Sequence, residues 1–306
     1  MGKSATAVKE EDFVEHLLIA STHATILCFT NFGKVYWLKV YQIPLAGRNS
    51  RGRPVVNLLP LVEGERISSI LPVEEYSPDK FVIMATANGT VKKTSLDQYS
   101  RPRSVGLRAV DLVEGDQLVG TAIIDDDSDI MLLSSEGKAV RFASTDARAM
   151  GRVSKGVRGM RLPVEHLVIA MVVPKEDGFL LTVCENGYGK RTHVSEFPTK
   201  GRGGKGMIAI QASERNGPLV GATQLFSGDE IMLISDQGTM VRTRGDEISV
   251  VGRNTQGVRI IRLKDSENLV RLARIAESEE EESVLDSSVG DDAPKEIDQT
   301  DDSNEE

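Results

Sequence analysis

Apolar residues occur along this chain in short runs, each closed by a turn signal, and the runs themselves repeat. Five quartets end four residues before a glycine: Ile26-Leu27-Cys28-Phe29 before Gly33, Val82-Ile83-Met84-Ala85 before Gly89, Ile130-Met131-Leu132-Leu133 before Gly137, Leu180-Leu181-Thr182-Val183 before Gly187 and Ile231-Met232-Leu233-Ile234 before Gly238. Those glycines are 56, 48, 50 and 51 residues apart. Directly behind four of them comes a run that carries cations: Thr90-Val91-Lys92-Lys93-Thr94, Lys138-Ala139-Val140-Arg141-Phe142, Tyr188-Gly189-Lys190-Arg191-Thr192 and Thr239-Met240-Val241-Arg242-Thr243. A strand, a tight turn and a second strand make a β-hairpin. Gly33, Gly89, Gly137, Gly187 and Gly238 are therefore expected as structural turn residues that supply a positive φ.

A second glycine follows the first by 17 to 19 residues, at Gly52, Gly106, Gly156, Gly206 and Gly257, inside a basic, glycine-rich loop. Each loop leads into another apolar strand. A last strand type then closes the repeat at Ile67 to Val73, Leu118 to Ile124, Leu167 to Val173, Leu219 to Leu225 and Leu269 to Ile275, and Leu17 to Ala20 reads as a sixth copy. Val8 to His16 is the one helix candidate. Four-strand units recurring about every fifty residues predict an all-β, propeller-like ring of blades, five complete and a partial first one, closed or opened into a spiral.

Composition changes this picture in one respect. With 306 residues, 40% apolar and 27% charged, the chain can bury a sizeable core, and its net charge is -9. That charge is unevenly placed, because residues 277–306 carry a net -13 and residues 1–276 a net +4. Residues 1–276 are expected as the β domain and 277–306 as an acidic, disordered tail, since such a segment has too little apolar area to order itself. The tail has two readings, a solubilising segment or a tethered polyanion that competes for the basic surface. Cys28 and Cys184 sit in apolar runs without metal or redox spacing, and His16, His23, His166 and His193 are scattered. Neither a membrane span nor a secretory pattern is present, which predicts a cytoplasmic protein without a membrane partner, and no cofactor is expected.

Gly201-Arg202-Gly203-Gly204-Lys205-Gly206 satisfies a dinucleotide-binding pattern letter by letter, yet a strand follows it where that fold needs a helix N-terminus. No nucleophile motif is present either, so the chain is read as a binding module rather than an enzyme on its own. What repeats is cation placement. Lys92, Lys93, Arg141, Lys190, Arg191 and Arg242 recur behind the hairpin turns, while Arg48, Arg51, Arg53, Arg103, Arg152, Lys155, Arg202, Lys205 and Arg253 recur in the loops. Cations at one register of every blade form a belt suited to the phosphates of duplex DNA. All fifteen are candidate DNA contacts. Without a recognition helix, and with only 5% aromatic residues, base readout is not expected and phosphate-mediated bending remains. A protein-interaction propeller is the alternative.

Several stretches resemble the C-terminal domain of the DNA gyrase A subunit, with the corresponding part of topoisomerase IV as its close relative. They include Val35-Tyr36-Trp37-Leu38 as far as Tyr41, Gly52-Arg53-Pro54-Val55-Val56-Asn57-Leu58-Leu59-Pro60, Met84 to Lys93, Asn186 to Thr192, and Gly252-Arg253-Asn254-Thr255-Gln256-Gly257. The resemblance covers residues 2–276. It implies a six-bladed β-pinwheel whose blades exchange strands and whose basic rim wraps duplex DNA in support of negative supercoiling. It also implies, as partners, the remainder of the gyrase A subunit and, through it, the gyrase B subunit. The family's hallmark box, Gln-Arg-Arg-Gly-Gly-Lys-Gly, has no full copy; Gly2-Lys3-Ser4-Ala5 resembles the sequence that begins at its final glycine, and Lys200 to Gly206 matches five of its seven positions. By the same resemblance the catalytic tyrosine, the magnesium site and the ATPase belong to other parts of that enzyme.

Overall fold

A computed structural model of the chain describes residues 18, 20–46, 52–264 and 266–275. The helix expected at Val8 to His16, the tail, and Leu17 and Ile19 of the expected sixth strand lie outside the described residues, while Leu18 and Ala20 belong to no strand.

The first repeat contributes β1 (Thr25–Thr30), β2 (Lys34–Lys39) and β3 (Ile67–Val73), and the second β4 (Phe81–Thr86), β5 (Thr90–Ser95), β6 (Leu107–Arg108) and β7 (Leu118–Ile124). The third contributes β8 (Asp129–Ser134), β9 (Lys138–Ala143), β10 (Val157–Arg158) and β11 (Val168–Val172). The fourth adds β12 (Phe179–Cys184), β13 (Tyr188–His193), β14 (Met207–Ile208) and β15 (Leu219–Leu225). The fifth ends the series with β16 (Glu230–Ser235), β17 (Met240–Arg244), β18 (Val258–Arg259) and β19 (Leu269–Ile275). Helical structure among the described residues amounts to six 3-10 turns of three or four residues. The five turn glycines Gly33, Gly89, Gly137, Gly187 and Gly238 have φ of 71°, 81°, 79°, 80° and 84°, a region that side chains with a Cβ enter only with strain.

These strands form five antiparallel sheets, and the order within them departs from the order of the chain. Each hairpin pairs on its inner side with the long strand of its own repeat, as β1 does with β3. On its outer side it receives a two-residue strand from the next repeat: β6 completes the first sheet, β10 the second, β14 the third and β18 the fourth. The turn glycine secures this exchange, because its carbonyl accepts two amides of the incoming chain. Gly137 O, for example, takes Ala209 N at 2.9 Å and Ile210 N at 3.1 Å. In the fifth sheet, β19-β16-β17, no fourth strand is present among the described residues.

The long strands β3, β7, β11, β15 and β19 pack side by side. Around the axis they leave a cavity of ≈ 400 Å³ lined by residues of all five, among them Ile67, Val119, Ile169, Val220 and Leu272. Every sheet also carries a register shift between its first and last strand types, next to the hairpin turn. Such a bulge raises the twist, which suits sheets set around a ring. The result is a five-bladed β-propeller.

Apolar side chains form one core between each blade and the next along the chain, from the first to the fifth. Phe29 and Val35 meet Met84 and Tyr99 between the first and second, and Leu181 and Val183 meet Ile231 and Leu233 between the fourth and fifth. The other face of the first blade is covered from its own repeat, with Leu59 buried against Ile26, Cys28 and Tyr36. Both faces of a middle strand such as β1 are thus buried, and its six residues are apolar or small rather than alternating.

Candidate nucleic-acid interface

Strand exchange decides where the hairpin cations go. The second hairpin strand is no sheet edge, since a donated strand flanks it and neighbouring blades cover its faces. Lys92 is 0% exposed, Lys93 3%, Arg141 7%, Lys190 0% and Arg191 6%. These five are therefore corrected from surface contacts to internal clasps: an ammonium or guanidinium enclosed in this way does not reach a phosphate. Arg141 bonds Asp129 at 2.7 Å, Glu176, and the Phe197 carbonyl at 3.0 Å. Arg191 grips the next repeat through the Ile248 carbonyl at 2.8 Å and Asp246 at 2.7 Å, with Phe179 stacked beneath it at 4.9 Å. Lys93 pairs with Asp126 at 2.6 Å and lies 4.9 Å from the Phe81 ring. Arg242, on the open strand β17, is the exception; it is exposed and paired with Glu230.

Lys92 and Lys190 have no carboxylate partner among the described residues and lie against backbone carbonyls. Burial pushes both ammonium groups down from 10.5 to about 8. A folded state that prefers the neutral amine releases protons which the unfolded chain keeps, so these two groups make stability rise with pH between about 8 and 10.5. Urea midpoints at pH 7.5 and pH 10 check this. The rise belongs to the native chain and should shrink in a Lys92→Met/Lys190→Met variant; equal pH dependence in both would refute it.

The loop cations occupy different ground. In the second to fifth repeats the loop runs into the donated strand, which is the outermost strand of its sheet, whereas in the first the strand expected behind the loop is replaced by a 3-10 turn at Val55–Asn57 and no strand precedes β3 among the described residues. Arg53, Arg103, Lys155, Arg202 and Lys205 are exposed, and Arg152 and Arg253 are half-buried. Arg48 and Arg51 lie outside the described residues. None of the seven described loop cations forms an ion pair with a described carboxylate. Backbone bonds join the last three loops to the segment that follows the donated strand of the preceding repeat: Asp111 N to Ser154 O at 3.3 Å, Arg161 N to Gly204 O at 2.8 Å and Gln211 N to Thr255 O at 2.9 Å. Side chains add to this, with Arg202 on the Asp146 and Arg158 carbonyls at 2.9 and 3.0 Å and Arg253 on the Ile208 carbonyl at 3.2 Å.

Arg215 escapes the sequence pattern and joins Arg259, one of the cations that recur around the loops, at Tyr188. Two guanidiniums lie against the Tyr188 ring, Arg215 4.4 Å from its centroid and Arg259 5.2 Å away, and its hydroxyl accepts a 2.6 Å bond from Arg259. Arg215 lies in a turn outside the loops but leans over the Gly257 carbonyl at 3.4 Å. The missing signal is the cross-repeat pairing of Tyr188 with Arg259, which becomes readable once strand exchange is known.

The arrangement offers phosphate-sized anions a discontinuous series of guanidinium and ammonium groups. It contains no group of three or more potential metal ligands among the described residues, and no helix there is long and apolar enough to cross a membrane. Comparison with known proteins adds the kinship. The DNA gyrase A subunit of Haemophilus influenzae is 52% identical over 315 aligned positions, covering 94% of this chain, and that of Escherichia coli K12 is 54% identical over 283, covering 92%. The chain spans about a third of those relatives, 36% and 32% of their lengths. A solved DNA gyrase A C-terminal domain superposes with a TM-score of 0.71 at 27% identity, over 84% of both chains. The C-terminal domain of a DNA topoisomerase IV gives 0.82 at 21% identity, over 94% of this chain and 90% of that one, which speaks for the fold alone. Residues 24–74, 80–125, 128–175, 178–224 and 229–276 each match one family, described as the DNA gyrase C-terminal domain, beta-propeller, and to that family the chain belongs.

Proposed function

We propose that this chain binds duplex DNA along its loop-bearing periphery without base readout, bends it, and so supports negative supercoiling as the non-catalytic C-terminal part of a cytoplasmic DNA gyrase. Its partners on this reading are duplex DNA, the remainder of the gyrase A subunit and, through it, the gyrase B subunit. The observation that carries the reading is the recurrence of cations without a described carboxylate partner in the outermost loops of successive blades, at Arg103, Arg152, Lys155, Arg202, Lys205 and Arg253, with Arg53 exposed in the corresponding segment of the first repeat. The relatives, both A subunits of DNA gyrase by name, support it. Bending a 20–30 bp stretch through 40–90° costs on the order of 1–6 kcal/mol. A few charge-assisted contacts of about 1.5–3 kcal/mol each offset that cost.

Residues 277–306, with a net charge of -13, complete the proposal as a tethered polyanion that competes with DNA for the same cations at low salt. One titration tests both parts. Binding of a random-sequence duplex is expected to weaken with salt at a slope near -0.9 per phosphate neutralised, and a second, unrelated duplex should bind equally. At low salt the chain ending at Ala276 should bind more tightly than the full chain. A flat salt dependence would favour a protein-docking propeller, and equal affinities of the two chains would leave the tail without a competing role.

A further inference from the structure

The buried lysines of the second and fourth blades present the same arrangement twice. Lys92 stands three residues behind turn Gly89 and Lys190 three behind Gly187. Lys92 Nζ donates to the carbonyls of Ala109, at 2.6 Å, and Arg152. Lys190 Nζ donates to the carbonyls of Gly252 at 2.7 Å and Arg253 at 2.5 Å, and to the Thr255 hydroxyl at 3.1 Å. Arg152 and Arg253 are equivalent in turn, each four residues before a loop glycine of positive φ, Gly156 at 97° and Gly257 at 72°.

We propose that Lys92 and Lys190 are positioning residues: each reaches out from inside its blade, holds the backbone carbonyl of the arginine near the start of the next basic loop, and thereby fixes where Arg152 or Arg253 presents its guanidinium. The inference rests on the DNA-binding reading of those loops and adds how two of them are aimed.

The third blade shows that the core itself does not call for a lysine. At the same distance behind Gly137 stands Val140, 3% exposed and packed in the apolar cluster with Phe142 and Leu132. The backbone bond that opens the loop is common to all three blades, Met150 N on the Lys93 carbonyl, Lys200 N on the Arg141 carbonyl and Val251 N on the Arg191 carbonyl at 2.8–2.9 Å; the loop without a lysine adds Gly203 N on the Gly159 carbonyl at 2.6 Å and the Arg202 side chain on two carbonyls. A buried ammonium is unfavourable unless hydrogen-bonded throughout. Where a valine suffices for packing, the lysine is explained by the loop: Lys190 spends its donors on Gly252, Arg253 and Thr255, and Lys92 divides its own between Ala109 of its repeat and Arg152 of the next loop. Ordering the arginine during folding removes an entropy loss otherwise met on binding.

The test uses the full chain and a random-sequence duplex. Lys190→Met is expected to weaken binding roughly two- to tenfold, the equivalent of about 0.5–1.5 kcal/mol for one side chain left to be ordered. Arg253→Ala should then cost less in the Lys190→Met background than in the native one. Lys92 and Arg152 should couple in the same way, while the crossed pairs Lys190 with Arg152 and Lys92 with Arg253 should be additive, as distant sites are. A purely structural lysine would not confine its coupling to its own loop. Additivity in both matched pairs overturns the proposal. Amide exchange across residues 151–156 and 252–257, measured without DNA, keeps the two readings apart. Faster exchange confined to the matching loop in each variant supports positioning even where the duplex fails to bind the native chain, and unchanged exchange overturns it. Should Lys190→Met not fold, Lys190→Gln, which retains a donor, takes its place in both measurements.

Discussion

Charge reversal at Arg202 and Lys205 together is expected to weaken duplex binding by about two orders of magnitude or more while leaving the fold intact. Both side chains are exposed and neither is paired with a described carboxylate. Removing two charge-assisted hydrogen bonds of about 1.5–3 kcal/mol each suffices for that change, and glutamate adds repulsion. The salt dependence is the sharper readout, because neutralising two fewer phosphates should make the slope shallower by about 1.8. Arg191 sets the contrast. Arg191→Met strips a clasp from Asp246, itself 46% exposed, and leaves the buried Ile248 carbonyl without its donor, which should lower the urea midpoint, since a buried polar group left unsatisfied costs about 1–3 kcal/mol. Its effect on the salt slope of the folded fraction should be nil. Unchanged affinity and slope in the Arg202→Glu/Lys205→Glu variant would remove this loop from the interface.

The second large effect concerns a backbone position. Gly137→Ala is expected to destabilise the chain by upwards of about 2 kcal/mol, and Gly238→Ala by distinctly less. Both glycines are left-handed, with φ of 79° and 84°, and an alanine there carries a similar conformational penalty of about 1–2 kcal/mol. The surroundings separate them. A Cβ on Gly137 would clash with the Ile210 carbonyl oxygen, and the donated chain cannot retreat without losing the two amide bonds that end on Gly137 O. No donated strand crosses Gly238 among the described residues. Urea unfolding of the two variants measures the difference, and equal losses would mean that strand exchange contributes nothing at this turn.

What the one-dimensional pattern could reveal follows from the range of the forces involved. Hairpins, turn glycines and the long inner strands answer to neighbours a few residues away, through β-branched runs and turn chemistry. Accordingly Ile67–Val73, Leu118–Ile124, Leu219–Leu225 and Leu269–Ile275 appear with the bounds expected from the sequence, and the expected Leu167 to Val173 is found as Val168–Val172. The basic loops were equally legible, because glycine-rich polar segments stay at the surface where water satisfies their backbone.

Exposure of a strand residue is another matter, since it depends on which distant segment lies beside it. Lys92, Lys93, Arg141, Lys190 and Arg191 read as a surface row as long as the second hairpin strand is taken for an edge. They became internal because segments of the next repeat, such as Ala149-Met150 beside Lys93 and Val250-Val251 beside Arg191, occupy that edge and neighbouring blades cover both faces. Arg242 kept the predicted exposure on β17, where no donor is present among the described residues. The same nonlocal pairing brought Arg259 onto Tyr188 and aimed two lysines at the carbonyls of Arg152 and Arg253. The sequence by itself thus determined the repeat, its strands, its turns and its outer loops, all of which rest on local conformational preference. Only the tertiary structure decided which cations face solvent and which hold the blades together, because burial is a property of the partner across the sheet and not of the residue's own place in the run.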